Sequence, residues 1–422
     1  MKKAFTYVNL DAYSRIYTEG WKVRRTLGET LLHVAKDNFN RVKSEINNRF
    51  VSENVNADLF WSMLRAALRD GTLVSRMANY QSNRKADKGS DLFLKTLYAS
   101  TEEVPVRYTS VAPNGERVVL SGKIFLPPRK KIKNIIVANH YTICSNKEAP
   151  SQAHSIEGIF ATKDYIVIMP DYVGYGISSN LPHPYLQLDS AVTSSIDLLK
   201  AAMPYIASRG YLFPKEIVLV GYSQGAAVTL AMQKKLEEEY AERFPIRRVF
   251  AGAGPYNLAR TYDFYVSQPK TNIPCSLPML IIGMAYGENL PLRRGDYFQP
   301  VLMEKCQDLI ESKKWTLFEV NERLDPHIDV LLKPLIFDKD QYPTSLLYAA
   351  LKRNSIVGWK PKAPLYLFHS TEDDMVPFLN SAQLAYEFTS QLMTNVEYNF
   401  GQEGSHMLAC ATFFEKVYQA LY

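Results

Sequence analysis

The sequence predicts an α/β fold: a mostly parallel, twisted sheet flanked by helices, with a helical cap inserted into it and a helical extension ahead of it. Three observations predict this. Short, nearly continuous apolar runs rich in β-branched residues recur at Ile132 to Ala138, Tyr165 to Pro170 and Glu216 to Val220, separated by helix-length stretches. Strands apolar on both faces suit a parallel sheet covered by helices on each side. The rhythm then lapses between Pro255 and Pro361 and resumes at Leu365.

The elements follow in chain order. Residues 1–100 form the expected extension, with helical patterns from Thr30 to Ile46 and, behind the capping residues Asn56 and Asp58, from Leu59 to Leu68. Arg84 to Ser90 reads as a polar loop. The sheet domain is expected to begin at 101 and to run to 254. Its first strands, Val106 to Val111 and Arg117 to Phe125, flank Pro113-Asn114-Gly115, a hairpin turn signal that sets them antiparallel at a sheet edge. Arg248 to Gly252 is a further strand.

Residues 255–362 are expected to form the cap, inserted over the C-terminal ends of the strands and rich in aromatics such as Tyr262, Tyr265, Tyr297 and Trp315. Residues 363–422 complete the sheet domain, with strands at Leu365 to Phe368 and Val396 to Phe400 and a last helix from Met407 to Tyr422. No internal repeat or low-complexity tract interrupts this plan.

A chain of 422 residues, 46% hydrophobic, has material for one large domain plus an insertion. Its net charge of +6 arises from 49 basic and 43 acidic residues without dense basic runs, which argues against a nucleic-acid partner. Met1-Lys2-Lys3 resembles the start of a signal peptide. Tyr7, Asn9, Asp11 and Ser14 break the apolar run that should follow, so none is expected. No transmembrane segment is expected either. The location is then cytoplasmic if the chain is whole, or periplasmic or secreted if it is a processed form. Cys144, Cys275, Cys306 and Cys410 show no metal-ligand spacing and read as buried free thiols, with a Cys275–Cys306 bridge as the alternative.

Gly221-Tyr222-Ser223-Gln224-Gly225 follows the apolar strand Ile217 to Val220 and precedes a helix from Ala226 to Lys235. Strand, sharp turn and helix lift a serine hydroxyl clear of a sheet, and the crowding of such a turn demands the two glycines. The turn also puts the Gln224 N–H at a helix N-terminus, where an oxyanion can be held. A serine needs a base to take its proton. Of the seven histidines, His406 sits in Gly404-Ser405-His406-Met407, read as a loop between the last strand and last helix at the end of the sheet where Ser223 emerges. The loop after Leu365 to Phe368 offers three carboxylates, Glu372, Asp373 and Asp374, to orient that imidazole.

These motifs, together with Pro170 to Ser178, His183-Pro184-Tyr185 and the stretch His369 to Pro377, resemble secretory lipases and related esterases of the α/β-hydrolase superfamily. The likeness covers roughly residues 104–254 and 363–422. It implies the α/β-hydrolase fold, a carboxylic-ester substrate, no metal and no organic cofactor. It also places the acid four residues before the proline of Val376-Pro377, which selects Asp373, with Asp374 and Glu372 next in order. The catalytic set it implies is Ser223 as nucleophile, His406 as general base and Asp373 as the orienting acid, in the chain order Ser, Asp, His that this fold uses.

The family supplies its other oxyanion donor from a His-Gly-Thr type loop, where this chain has Asn139-His140-Tyr141-Thr142. Either a backbone N–H of Tyr141 or Thr142 donates beside Gln224, or the Tyr141 hydroxyl does. His140 and His369 then lie beside the oxyanion and acid loops, His33, His154, His183 and His327 read as surface or core residues, and Asp171 and Tyr172 as loop-ordering groups. The expected partner is a small-molecule ester, its acyl group apolar or aromatic in keeping with the aromatic cap. The alternatives are an S9-like serine peptidase or amidase on the same fold, favoured by the tyrosine, and a binding protein that kept the fold without catalysis.

Overall fold

The computed structural model describes residues 7–13, 61 and 101–421. The helices expected over Thr30 to Ile46 and Leu59 to Leu68, Trp61 excepted, and the loop Arg84 to Ser90 therefore lie outside the described residues.

One nine-stranded sheet organises what is described. Its strands are β1 (Val8–Asn9), β2 (Glu102–Val111), β3 (Arg117–Leu126), β4 (Asn134–Asn139), β5 (Tyr165–Pro170), β6 (Ile217–Tyr222), β7 (Ile246–Gly252), β8 (Leu365–Ser370) and β9 (Val396–Gly401). They lie in the order β1-β2-β3-β5-β4-β6-β7-β8-β9. The β2–β3 and β3–β5 pairings are antiparallel, and the others parallel. The Pro113-Asn114-Gly115 signal acts as expected. Gly115 takes φ +82° and its N–H donates to the Ala112 carbonyl at 2.8 Å, which sets Val111 opposite Arg117.

Side chains alternate between two apolar layers along the central strands. Ile135, Val137, Leu219, Ala251 and Leu367 face α1 (Leu188–Ser208) and α2 (Gln224–Glu239). Ile136, Ala138, Val220, Phe250 and Phe368 face the other way, toward the 3-10 turns at 156–163 and the C-terminal helix. That alternation explains why β4, β5, β6 and β8 are buried along their whole length and read as unbroken apolar runs.

Between β7 and β8 the chain forms α3 (Leu258–Ser267), α4 (Ser276–Gly287), α5 (Pro300–Cys306), α6 (Leu317–Arg323) and α7 (Thr344–Arg353). These helices share their own apolar cluster, which includes Tyr262, Leu280, Tyr297 and Leu351, and Cys144, Tyr185 and Leu186 join it from the sheet side. After β8 come α8 (Leu379–Ser390) and α9 (His406–Ala420). Among the described residues no helix is long and apolar enough to cross a membrane.

One expectation needs correction, one strand was not foreseen, and one pair of alternatives is decided. His406 is the first residue of α9 rather than part of a loop, because the apolar face of that helix starts with it: His406 itself is buried. The edge strand β1 was not foreseen, since two residues carry no periodicity. All four cysteines are free, and the sulfur beside Cys275 is that of Cys144 at 4.0 Å, so the alternative Cys275–Cys306 bridge does not form.

Candidate active site

Strand order reverses at β4: the chain passes to β5 on one side of it and returns to β6 on the other. A crevice opens beyond the C-terminal ends of strands at such a point. Here the end of β4 supplies residues 139–142 and the end of β6 supplies Ser223.

Ser223 takes φ 57°, ψ −126°, a backbone conformation that L-residues rarely adopt. The surroundings impose it. Its N–H donates to the Gly252 carbonyl at 2.8 Å, and its own carbonyl accepts from Ala226 and Ala227 of α2. A Cβ at Gly221 would run into the Gly225 carbonyl and Thr229, and one at Gly225 into the Asn139 and His140 carbonyls. The glycines of the motif are therefore steric requirements of the turn. Gln224 opens α2, so its N–H has no partner within the helix and stands at the positive end of the helix dipole.

His406 is held at three points. Tyr222, the residue before Ser223, donates its hydroxyl to the His406 carbonyl at 2.7 Å and packs its ring 4.9 Å from the imidazole. The His406 N–H donates to Asp374 Oδ1 at 3.0 Å. Its Nδ1 lies 2.6 Å from Asp373 Oδ2. A ring nitrogen that donates to a carboxylate leaves Nε2 with the lone pair in neutral imidazole. The other oxygen of Asp373 accepts from the N–H groups of Met375 (3.0 Å) and Val376 (2.7 Å). Burial alone would raise the Asp373 pKa. The charge of His406 and hydrogen bonds from His369 and His406 outweigh it and hold the carboxyl well below the usual carboxylate range.

The remaining described histidines near the cleft serve other contacts. His369, fully buried, brings Nε2 to 3.2 Å from the same Asp373 oxygen, while its Nδ1 accepts from the Ser381 hydroxyl at 2.7 Å. His140 directs Nδ1 to the Tyr141 carbonyl at 2.7 Å, and burial lowers its pKa to about 4. His183 donates from Nδ1 to the Val173 carbonyl at 2.8 Å, so its Nε2 can accept from the Gln224 amide at 3.4 Å; burial lowers its pKa to about 3. Both rings are neutral at pH 7. Asp171 is buried beneath the loop it orders, accepting from Ser121 Oγ at 2.5 Å and the Ser151 N–H at 2.8 Å.

Ser223, Gln224, Tyr141, Thr142 and His406 all line one cleft of about 1220 Å³, its mouth included. The insertion supplies most of the remaining wall, through Leu258, Tyr265, Leu277, Leu280, Leu317 and Leu351. Thr142 hydrogen-bonds Tyr185 at 3.1 Å. One carboxyl sits in this apolar wall: Glu148 accepts from the N–H groups of Cys144, Ser145 and, across the seam, Leu317, and burial pushes its pKa up to about 7. Two more contacts tie the insertion to the Asp373 loop. Tyr265 donates to the Met375 carbonyl at 2.5 Å, and Asn272 to Asp374 Oδ2 at 2.9 Å.

Sequence reasoning named Ser223, Asp373 and His406; the structure brings the last two into contact and opens Ser223 onto the same cleft as His406. It missed the grip of Tyr222 on His406, the second imidazole on Asp373, the bridging of Asp374 and the placing of Glu148. Only His369 and Asp374 had a local signal, their position in the acid loop. Among the described residues no group of three His, Cys, Asp or Glu side chains is placed to hold a metal ion.

A mostly parallel sheet with a strand–serine–helix turn at its switch point, under a cleft closed by inserted helices, defines an α/β-hydrolase. Residues 155–406 match the model of the Alpha/beta hydrolase family, and the chain belongs to that family. No curated protein matches the chain.

Among solved structures, a presumed hydrolase of Legionella pneumophila superposes with a TM-score of 0.69 at 21% identity, covering 78% of this chain and 94% of that one. LipA, a rice cell wall degrading esterase of Xanthomonas oryzae, gives 0.66 at 22% identity, covering 78% of this chain and 92% of that one. Candida antarctica lipase A gives 0.59 at 14% identity, covering 78% of this chain and 80% of its own. At these identities the likeness is one of fold.

Proposed function

We propose that this α/β-hydrolase is a serine carboxylic-ester hydrolase working through an acyl-enzyme. Ser223 Oγ attacks the ester carbonyl while His406 Nε2 takes its proton, and the ionised Asp373 fixes the imidazole and stabilises the imidazolium. The Gln224 N–H and a donor from Tyr141 or Thr142 hold the oxyanion. Collapse expels the alcohol with the proton from His406; water activated by the same imidazole then releases the acid. The 2.6 Å contact between His406 Nδ1 and a buried, ionised Asp373, with His406 and Ser223 lining one cleft, supports this reading most directly. The apolar walls favour an apolar acyl group, and we assign residues 255–362 to its recognition, as a cap over the sheet domain of 101–254 and 363–422.

A fluorophosphonate probe should label the wild type and not Ser223→Ala, and p-nitrophenyl esters should turn over faster than aminoacyl anilides. An unlabelled but folded wild type would make the protein a binding module. Faster anilide turnover would make it an amidase. Tyr141→Phe separates the two oxyanion donors, since losing a hydroxyl donor costs roughly 100-fold in kcat or more and a backbone donor leaves only a few-fold change.

A further inference from the structure

Two cysteines separated by 131 positions meet beside the cleft. Cys144 follows Tyr141 and Thr142 on the strand-end loop, and Cys275 immediately precedes α4 of the insertion. Their sulfurs are 4.0 Å apart, at contact distance, and the residues are 2% and 0% exposed. Each backbone is anchored on its own side: the Cys144 N–H donates to Glu148 Oε2 at 3.1 Å and the Cys275 N–H to Asn321 Oδ1 at 3.1 Å. A disulfide has its sulfurs about 2.05 Å apart, so the pair must close by about 2 Å.

We propose that Cys144 and Cys275 are a covalent modification site, a disulfide formed by thiol–disulfide exchange with a small disulfide such as oxidised glutathione, which joins the loop beside Ser223 to the inserted helices. One thiolate attacks a sulfur of the oxidant and expels the first small thiolate. The second cysteine then attacks the mixed disulfide and expels the other. Each cysteine loses one proton, the two electrons reside on the oxidant, and two small thiols leave.

The hydrogen bond to Cys275 and burial push the Cys144 thiol well above its ordinary pKa, which makes the folded pair slow to react. Exchange is therefore fastest during folding, before the insertion covers the loop. The crosslink stands or falls independently of the substrate the enzyme hydrolyses.

The full chain is refolded from denaturant in a mixture of reduced and oxidised glutathione, and in parallel the native protein is incubated with oxidised glutathione. Both are alkylated with iodoacetamide and digested without reductant for mass spectrometry. The expected map shows a peptide pair linked through Cys144 and Cys275 with Cys306 and Cys410 alkylated, the same link in Cys306→Ser, and none in Cys275→Ser. The crosslinked protein should melt about 5 °C higher, a gain abolished by dithiothreitol, because a long loop is closed. Four alkylated cysteines in both arms, or a link through Cys306 or Cys410, would overturn the assignment.

Discussion

The sheet and the inserted helices face the same cleft and are built on different rules. On the sheet side every group assigned to chemistry is placed by backbone: Ser223 by a strained turn wedged between glycines, Asp373 by two loop N–H groups, His406 by bonds to its own carbonyl and N–H. On the other side Leu258, Leu277, Leu280 and Leu351 present surface and make no directed bond to the reacting groups. Position is fixed in one region and shape is offered by the other. Substitutions in the first should therefore cost rate whatever the ester, and substitutions in the second should change which ester is taken.

The sharpest test on the sheet side is Asp373→Asn. It keeps the volume but takes the carboxylate from His406, and kcat should fall about 10⁴-fold for short and long esters alike. A loss confined to long esters would break the division of labour.

The next effect is on stability. Glu157 is buried with an unpartnered oxygen, and burial pushes its carboxyl up to about 7. In the unfolded chain it ionises near 4.5. The folded state thus binds the extra proton between these values, so its contribution is intact below pH 4.5 and is lost as pH rises through 7. Glu157→Gln should remove that loss, leaving the protein about 3 kcal/mol more resistant to urea at pH 8 relative to wild type than at pH 4.5. An equal change at both values would mean that Glu157 does not titrate as described.

On the insertion side, Leu280→Trp should lower kcat/KM for long acyl esters about tenfold and leave acetate esters within about twofold. Uniform loss would show that the insertion also positions the chemistry. The smallest effect is expected at the seam, where Tyr265→Phe removes the bond to the Met375 carbonyl and should cost about 1 kcal/mol of stability with only a few-fold change in rate.

Much of the sheet was legible because its strands are buried on both faces. Tyr165 to Pro170 was bounded as found, and β4 and β7 slipped by two residues at their starts, where burial patterns give way to turns. Ser223 stood out as a candidate because its glycines are local steric needs, and His406 because of its place in the chain order expected of the fold. What escaped was set by contacts between distant segments. Tyr222 reaches a carbonyl 184 positions away, and Glu148 an N–H 169 away. The Cys144–Cys275 proximity escaped for the same reason: spacing along the chain carries no information about which thiols share a pocket.

The short strand β1 has a consequence out of proportion to its two residues. Val8 and Asn9 lie along Val106 and Arg107, Leu10 is fully buried, and the Asp11 carboxylate accepts from both the N–H and the hydroxyl of Thr109. Together they cover a border of the sheet whose amides would otherwise face outward. A chain trimmed to begin after residue 12 would uncover that row, and neighbouring molecules could then zip together along it, so a shortened version should precipitate on concentration even while its cleft stays intact.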